Sequence, residues 1–166
     1  MRALRLAGKE KYSTVDGPGL RYVIFFQGCR HNCPGCHNPE THSFEEGKEA
    51  VVEKLVEDIL NTPGISGVTI SGGDPFFQYV HLLHLCQLIK EKTTLNIWVY
   101  TGFSEEDVLA LFPDIVYYVD ALVVGPYLQE QRTLSVPFVG SVNQKIVLLS
   151  SGVITHRKEE IWCDKN

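Results

Sequence analysis

The sequence predicts an α/β fold with about five parallel strands. Short β-branched and aromatic runs alternate with segments of helical period, Gly and Pro punctuate the joints, and reactive residues fall directly behind the strand-like runs.

The first run, RYVIFFQG (Arg21 to Gly28), is continuously apolar after its arginine, which suits a parallel strand covered on both faces, and cysteines follow at its C-terminal end. Lys48 to Asn61 carries apolar residues at 51, 52, 55, 56, 59 and 60, a helical stripe opposite a charged face, closed by Pro63 and Gly64. GVTISGGDP (Gly67 to Pro75) reads as a short strand entering a Gly-Gly turn, and Gln78 to Lys92 as a second helix. LNIWVYTG (Leu95 to Gly102) is a third strand. Ser104 to Phe112 follows as a helix with Ser104 at its N-cap, acidic residues in its first turn and Pro113 as its stop. Val116 to Gly125 and Asn143 to Ser150 supply two more strands across a long link rich in Pro and Gly. Strand-helix repetition of this kind makes neighbouring strands parallel and collects ligands at their C-terminal ends. The cysteines, SGGDP and YTG therefore share one edge of the sheet.

At 166 residues, 1–166 is expected to form a single domain. Hydrophobic residues at 44% and charged residues at 21% match ordinary globular proteins, which excludes a disordered chain. A formal charge of -5 and no basic stripe argue against nucleic acid as a partner. The apolar runs are strand-sized and the N-terminus lacks the apolar stretch of a secretory signal, so no membrane association and a cytoplasmic location are expected, where thiols stay reduced.

The segment QGCRHNCPGCHNPE (Gln27 to Glu40) gathers Cys29, Cys33 and Cys36 into a C-x3-C-x2-C pattern, with His31 and His37 between and beside them. Five cysteines in all, three of them clustered, do not suit a disulfide framework. A structural zinc needs four ligands, usually as two close pairs, and no second pair is present, although either histidine could complete the set. A cubane 4Fe-4S cluster normally takes four thiolates, so three would leave one iron open to a substrate or cofactor. Cys86 lies within a helical stripe and Cys163 near the C-terminus, both poor candidates as ligands.

C-x3-C-x2-C directly after the first strand of a βα repeat resembles the signature of the radical S-adenosylmethionine (SAM) enzymes, and ISGGDP (Ile70 to Pro75) resembles their Gly-Gly-Glu motif with Asp74 in the acidic position. STVDGPGLRYVIFFQGC (Ser13 to Cys29) is similar to the N-terminal segment of the glycyl-radical-enzyme activases. CPGCHNPETH (Cys33 to His42), SGGDPFFQ (Ser71 to Gln78), IWVYTGF (Ile97 to Phe103) and GSVNQKIV (Gly140 to Val147) are similar to one branch, the activases of the anaerobic ribonucleoside-triphosphate reductase. The likeness implies an incomplete β/α barrel of the radical SAM type, open enough for a protein substrate, since a closed barrel needs eight strands. It implies reductive cleavage of SAM at the open iron and abstraction of a glycine Cα hydrogen from the reductase, with a reduced flavodoxin or ferredoxin as electron donor. Another glycyl radical enzyme, such as pyruvate formate-lyase, stands as the alternative target, and a binding module in which zinc or an iron-sulfur cluster serves structure alone as the alternative of another class.

Carried over by position, the resemblance makes Cys29, Cys33 and Cys36 the cluster ligands. Gly35, Cys36 and His37 would line the SAM site, Gly72 and Gly73 would meet the methionine end through free amide and carbonyl groups, and Asp74 would hold that turn within the cofactor site. Tyr100, Thr101 and Gly102 are candidates for the ribose or carboxylate, followed by Asn143 and Gln144. Asp16 to Arg21 form a loop expected to face the glycine-bearing segment. Val124 and Val139 stand where the family often has an acidic residue and an arginine.

Overall fold

The structure is a computed structural model that describes residues 2–36 and 38–157. Along the chain come β1 (Leu4–Ser13), β2 (Arg21–Phe26), β3 (Lys48–Ala50), α1 (Val52–Leu60), β4 (Gly67–Gly72), α2 (Tyr79–Lys92), β5 (Asn96–Tyr100), α3 (Glu105–Leu111), β6 (Ala121–Val124), β7 (Lys145–Ser150) and β8 (Val153–Arg157). The eight strands form one sheet in the order β3-β1-β2-β4-β5-β6-β7-β8. β2, β4, β5 and β6 are mutually parallel, each joined to the next across a helix.

The register explains why these strands read as apolar runs. Ile24 pairs with Ile70, Ile70 with Val99, Val99 with Leu122 and Leu122 with Val147, so one row of buried side chains crosses five strands. Alternate residues point to opposite faces, and this row faces the helices. Val52, Leu55, Val56 and Ile59 of α1, Leu82, Leu85, Cys86 and Ile89 of α2, and Val108 of α3 close over it. Burying each large aliphatic side chain contributes about 1.5–3 kcal/mol. The other face carries a smaller core of Trp98, Ala121, Val123 and Ile146, covered by Val139 with Val136 and Phe138 from the link between β6 and β7. Phe138 takes φ 68° to set its ring edge-on to Trp98 at 5.5 Å.

Four expectations change. The fifth predicted strand, β7, runs antiparallel to β6. A parallel neighbour needs a covering crossover, whereas the only helical turn between these strands is the 3-10 helix Gln129–Gln131, so the chain returns directly. β1 and β8 did not read as strands because both are largely exposed, with the buried apolar positions of β1 confined to Leu4 and Leu6 at its start. Lys48–Ala50, expected in the first helix, pairs with β1 before α1 begins. The first residues of the expected Val116 to Gly125 strand belong to a 3-10 helix, Pro113–Tyr117, and only Ala121–Val124 joins the sheet.

Candidate functional site

Because the four central strands are parallel, all of them exit on one edge. β2 leads into the cysteine loop, β4 into Gly73 and Asp74, β5 into Thr101 and Gly102, and β6 into Gly125. There a cavity of about 200 Å³ is lined by Cys29, Cys33 and Cys36 with His31 and His42 from the cysteine loop, by Gly72, Gly73, Tyr100 and Thr101 at the strand ends, and by Gly125, Tyr127 and Gln144 among others.

Backbone hydrogen bonds hold the cysteine loop at its base. Gly28 N–H donates to Thr41 O at 2.7 Å and Cys29 N–H to His42 O at 3.1 Å. The Gln27 side-chain amide donates to Glu40 O and Ser43 O, clamping the returning chain. Cys36 N–H donates to Cys33 O, the turn that C-x2-C spacing allows. The β4 exit packs directly against this loop, with Gly73 N–H donating to Phe26 O at 2.8 Å and Asp74 N–H to Gly28 O at 2.9 Å. A Cβ on Gly73 would stand 2.4 Å from Gly28 O, and one on Gly72, at φ 105°, 2.3 Å from Phe26 O. The glycines thus answer to the protein's own backbone first, and the Gly73 amide expected to be free for the cofactor is already engaged.

Asp74, expected at the cofactor site, is fully buried and does not line the cavity. Its Oδ2 accepts from His31 Nε2 at 2.6 Å, Thr101 Oγ1 at 2.8 Å and Gly102 N at 2.9 Å, and its Oδ1 accepts from Phe76 N at 3.0 Å. It holds its own turn, as expected, and also ties the cysteine loop to the end of β5. His31 is therefore committed to Asp74, with its ring against Phe77 and Phe103. A Cβ on Gly102 would lie 2.7 Å from that ring, which accounts for glycine at this position.

Gly35, at φ 72°, sits in the Cys33–Cys36 turn but not on the cavity wall. His37 lies outside the described residues. Tyr100 and Thr101 border the cavity, and burial pushes the Tyr100 phenol well up, with Asp16 adding to the shift and Arg21 opposing it. Asn143 does not line the cavity; its amide donates to Pro126 O and its buried Oδ1 has no hydrogen-bond partner. Gln144 lines it while tying Gly140 and Ser141 to Gly125. Arg21 does not face outward: it is fully buried and donates to Thr69 Oγ1, Pro18 O and Val68 O, its guanidinium pushed down to about 10 by burial. Val124 and Val139 each belong to a core, one on either face of the sheet. Cys86 is core, and burial pushes its thiol up.

The thiols form a consistent donor set for an iron-sulfur core. Burial pushes the Cys29 thiol up to about 11; a hydrogen bond from the His31 backbone opposes this, while Asp74, Cys33 and Cys36 add to it. A cationic partner at the Cys29 thiol would oppose that shift and favour the ligating thiolate. Among the described residues no three His, Cys, Asp or Glu side chains gather tightly enough for one metal ion. Sequence reasoning assigned no role to His42, whose Nε2 lies 3.4 Å from Cys36 Sγ; nothing in a spacing of six residues signals that contact.

A family model described as a 4Fe-4S single cluster domain matches residues 15–147. The chain is 33% identical over 139 residues to the anaerobic ribonucleoside-triphosphate reductase-activating protein of Escherichia coli K12, and 35% identical over 143 residues to the protein of that name from Vibrio cholerae. Each match covers 80% of this chain and 90% of the relative. It is also 40% identical over 113 residues to the pyruvate formate-lyase-activating enzyme of Clostridium pasteurianum, covering 63% of this chain and 48% of that one. With its three cysteines on the cavity wall and these matches along its length, the chain belongs to the 4Fe-4S single cluster domain family, among the anaerobic ribonucleoside-triphosphate reductase-activating proteins.

Proposed function

We propose that this protein is a radical SAM activase, which holds a 4Fe-4S cluster on Cys29, Cys33 and Cys36, binds SAM beside it and generates a glycyl radical on the anaerobic ribonucleoside-triphosphate reductase. The observation that carries the reading is the cavity itself, where three thiols from one loop face Gly72, Gly73, Tyr100 and Thr101 across the C-terminal ends of parallel strands. When bound, the cluster and SAM would supply the radical chemistry that hydrogen abstraction from the glycine Cα requires. The chain's residues hold and orient. Asp74 fixes the cysteine loop relative to β5, Gly72 and Gly73 keep the β4 exit close to that loop, and Tyr100 and Thr101 form part of the opposite wall, the Thr101 hydroxyl being committed to Asp74.

Helices on one face only of the parallel strands support reading the sheet as an incomplete β/α barrel, and one continuous sheet supports a single domain. None of the described helices is long and apolar enough to cross a membrane; a cytoplasmic site of action is proposed from the family likeness. Reduced flavodoxin or ferredoxin is the proposed electron source.

Anaerobic reconstitution should yield about four irons per chain, with Cys33→Ala losing them. Adding SAM, reductant and the reductase should produce a glycyl radical in electron paramagnetic resonance. An iron-loaded protein that yields no such radical on the reductase overturns the reading. The likeness to the pyruvate formate-lyase-activating enzyme favours a second target, and a radical on pyruvate formate-lyase in place of the reductase would select it.

A further inference from the structure

We infer that His42 is a positioning residue that donates its ring N–H to the Cys36 sulfur and so raises the reduction potential of the iron-sulfur cluster, easing its uptake of an electron. The inference rests on the proposed cluster and concerns how this chain tunes it. His42 Nε2 stands 3.4 Å from Cys36 Sγ, an N–H···S distance, and both residues are half-buried, where such a contact is little screened by water. A ligating thiolate has no proton to give, so Nε2 must carry the proton and be the donor.

The position of the ring is set by its backbone. His42 N–H donates to Pro39 O at 3.2 Å, ending a short 3-10 helix, and His42 O accepts from Cys29 N–H. Thr41 on its other side is anchored through Oγ1 and N to Asn38 O. A substitution at 42 keeps these main-chain bonds and removes only the ring contact. Cys29 meanwhile receives its donor from the His31 backbone, which only a proline at 31 would remove. Of these two sulfur contacts, the one at Cys36 is a side-chain contact that sequence can change.

A donor to a ligating sulfur withdraws electron density from the iron-thiolate bond and favours the more negative, reduced cluster. Loss of the donor should therefore shift the midpoint to more negative potential without changing the ligand count.

The test compares the reconstituted wild-type chain with His42→Phe, a flat ring without a donor, and His42→Gln, which restores an N–H. Iron content is measured first, then the midpoint by redox titration followed by electron paramagnetic resonance. The expected result is full iron in all three, a negative shift in His42→Phe and a return toward wild type in His42→Gln. An iron-loaded His42→Phe with an unmoved midpoint, or His42→Gln shifted as far as Phe, overturns the inference and leaves the proposed function standing. Failure of the wild-type chain to take up iron overturns the proposed function and this inference with it. Should His42→Phe alone fail to hold iron, the unsubstituted protein decides. Isotopically labelled histidine nitrogen should couple weakly to the reduced cluster and lose that coupling in His42→Gln. No such coupling, or the strong coupling of a directly ligated nitrogen, overturns it.

Discussion

Two fully buried ionisable groups, Arg21 and Asp74, anchor opposite ends of the same parallel strands, and they are satisfied in opposite ways. Arg21, at the start of β2, meets Thr69 Oγ1 and the carbonyls of Pro18 and Val68, with its guanidinium 5.8 Å from the centre of the Trp98 ring. Apart from Pro18, these partners lie within the sheet itself. Asp74, just past β4, accepts from His31 in the cysteine loop, from Phe76 in its own turn, and from Thr101 and Gly102 beyond β5. Its donors come from three loops that have no ladder to hold them together. The cation thus fastens strands already paired, while the anion sets the relative position of the loops that carry the site.

The largest effect should come from Asp74→Ala, which leaves buried donors from three loops without an acceptor. A loss of about 3–5 kcal/mol is expected, together with loss of iron uptake, read by urea unfolding and by iron content after reconstitution. Asp74→Asn keeps one acceptor oxygen and should retain more of both. Arg21→Met comes next: it removes the desolvated charge along with its hydrogen bonds, so the two changes partly offset and about 1–3 kcal/mol is expected. Its iron content should stay at the wild-type level. If Arg21→Met empties the cluster as readily as Asp74→Ala, the division between a strand anchor and a loop anchor fails.

Asp74 also marks where sequence reading stopped. SGGDP signalled a turn behind a strand, and the cysteine spacing signalled a cluster loop, because both are local patterns with a chemical reason for their spacing. That one carboxylate joins the two through His31 depends on a contact 43 residues apart along the chain, which no local pattern encodes. The apolar row through Ile24, Ile70, Val99 and Leu122 was legible strand by strand, since buried parallel strands read as continuous runs. β8 escaped because it is an exposed edge strand, and β1, although paired on both sides, because most of its side chains are exposed and polar. Arg21 was misplaced for the converse reason: an arginine is expected at the surface, and only the carbonyls of β4 and its own loop reveal that it is buried.

Thr101 separates the contribution of one donor from that of the whole Asp74 network. Its hydroxyl donates to Asp74 and accepts from Phe103 N–H, so Thr101→Val keeps the shape and should cost about 1–2 kcal/mol. Iron uptake should persist, because His31 and Gly102 still hold the carboxylate. Loss of iron in this variant would mean that the network acts as one unit.

The smallest effect belongs to Asp58, a carboxylate at the surface that contrasts with buried Asp74. The Tyr22 hydroxyl donates to it and holds its carboxyl below the usual range, with Lys11 and Lys9 adding to the shift. A carboxyl depressed in the folded state binds its proton more readily once unfolded. Its contribution is therefore whole above the unfolded value near pH 4, roughly, and fades as pH falls through the lower folded value. Asp58→Asn should thus cost less than about 1 kcal/mol at about pH 6 and nothing measurable near pH 2. Urea unfolding of both proteins at the two pH values checks it. A cost at pH 6 as large as that of Asp74→Asn would mean that burial is not what gives the loop anchor its weight.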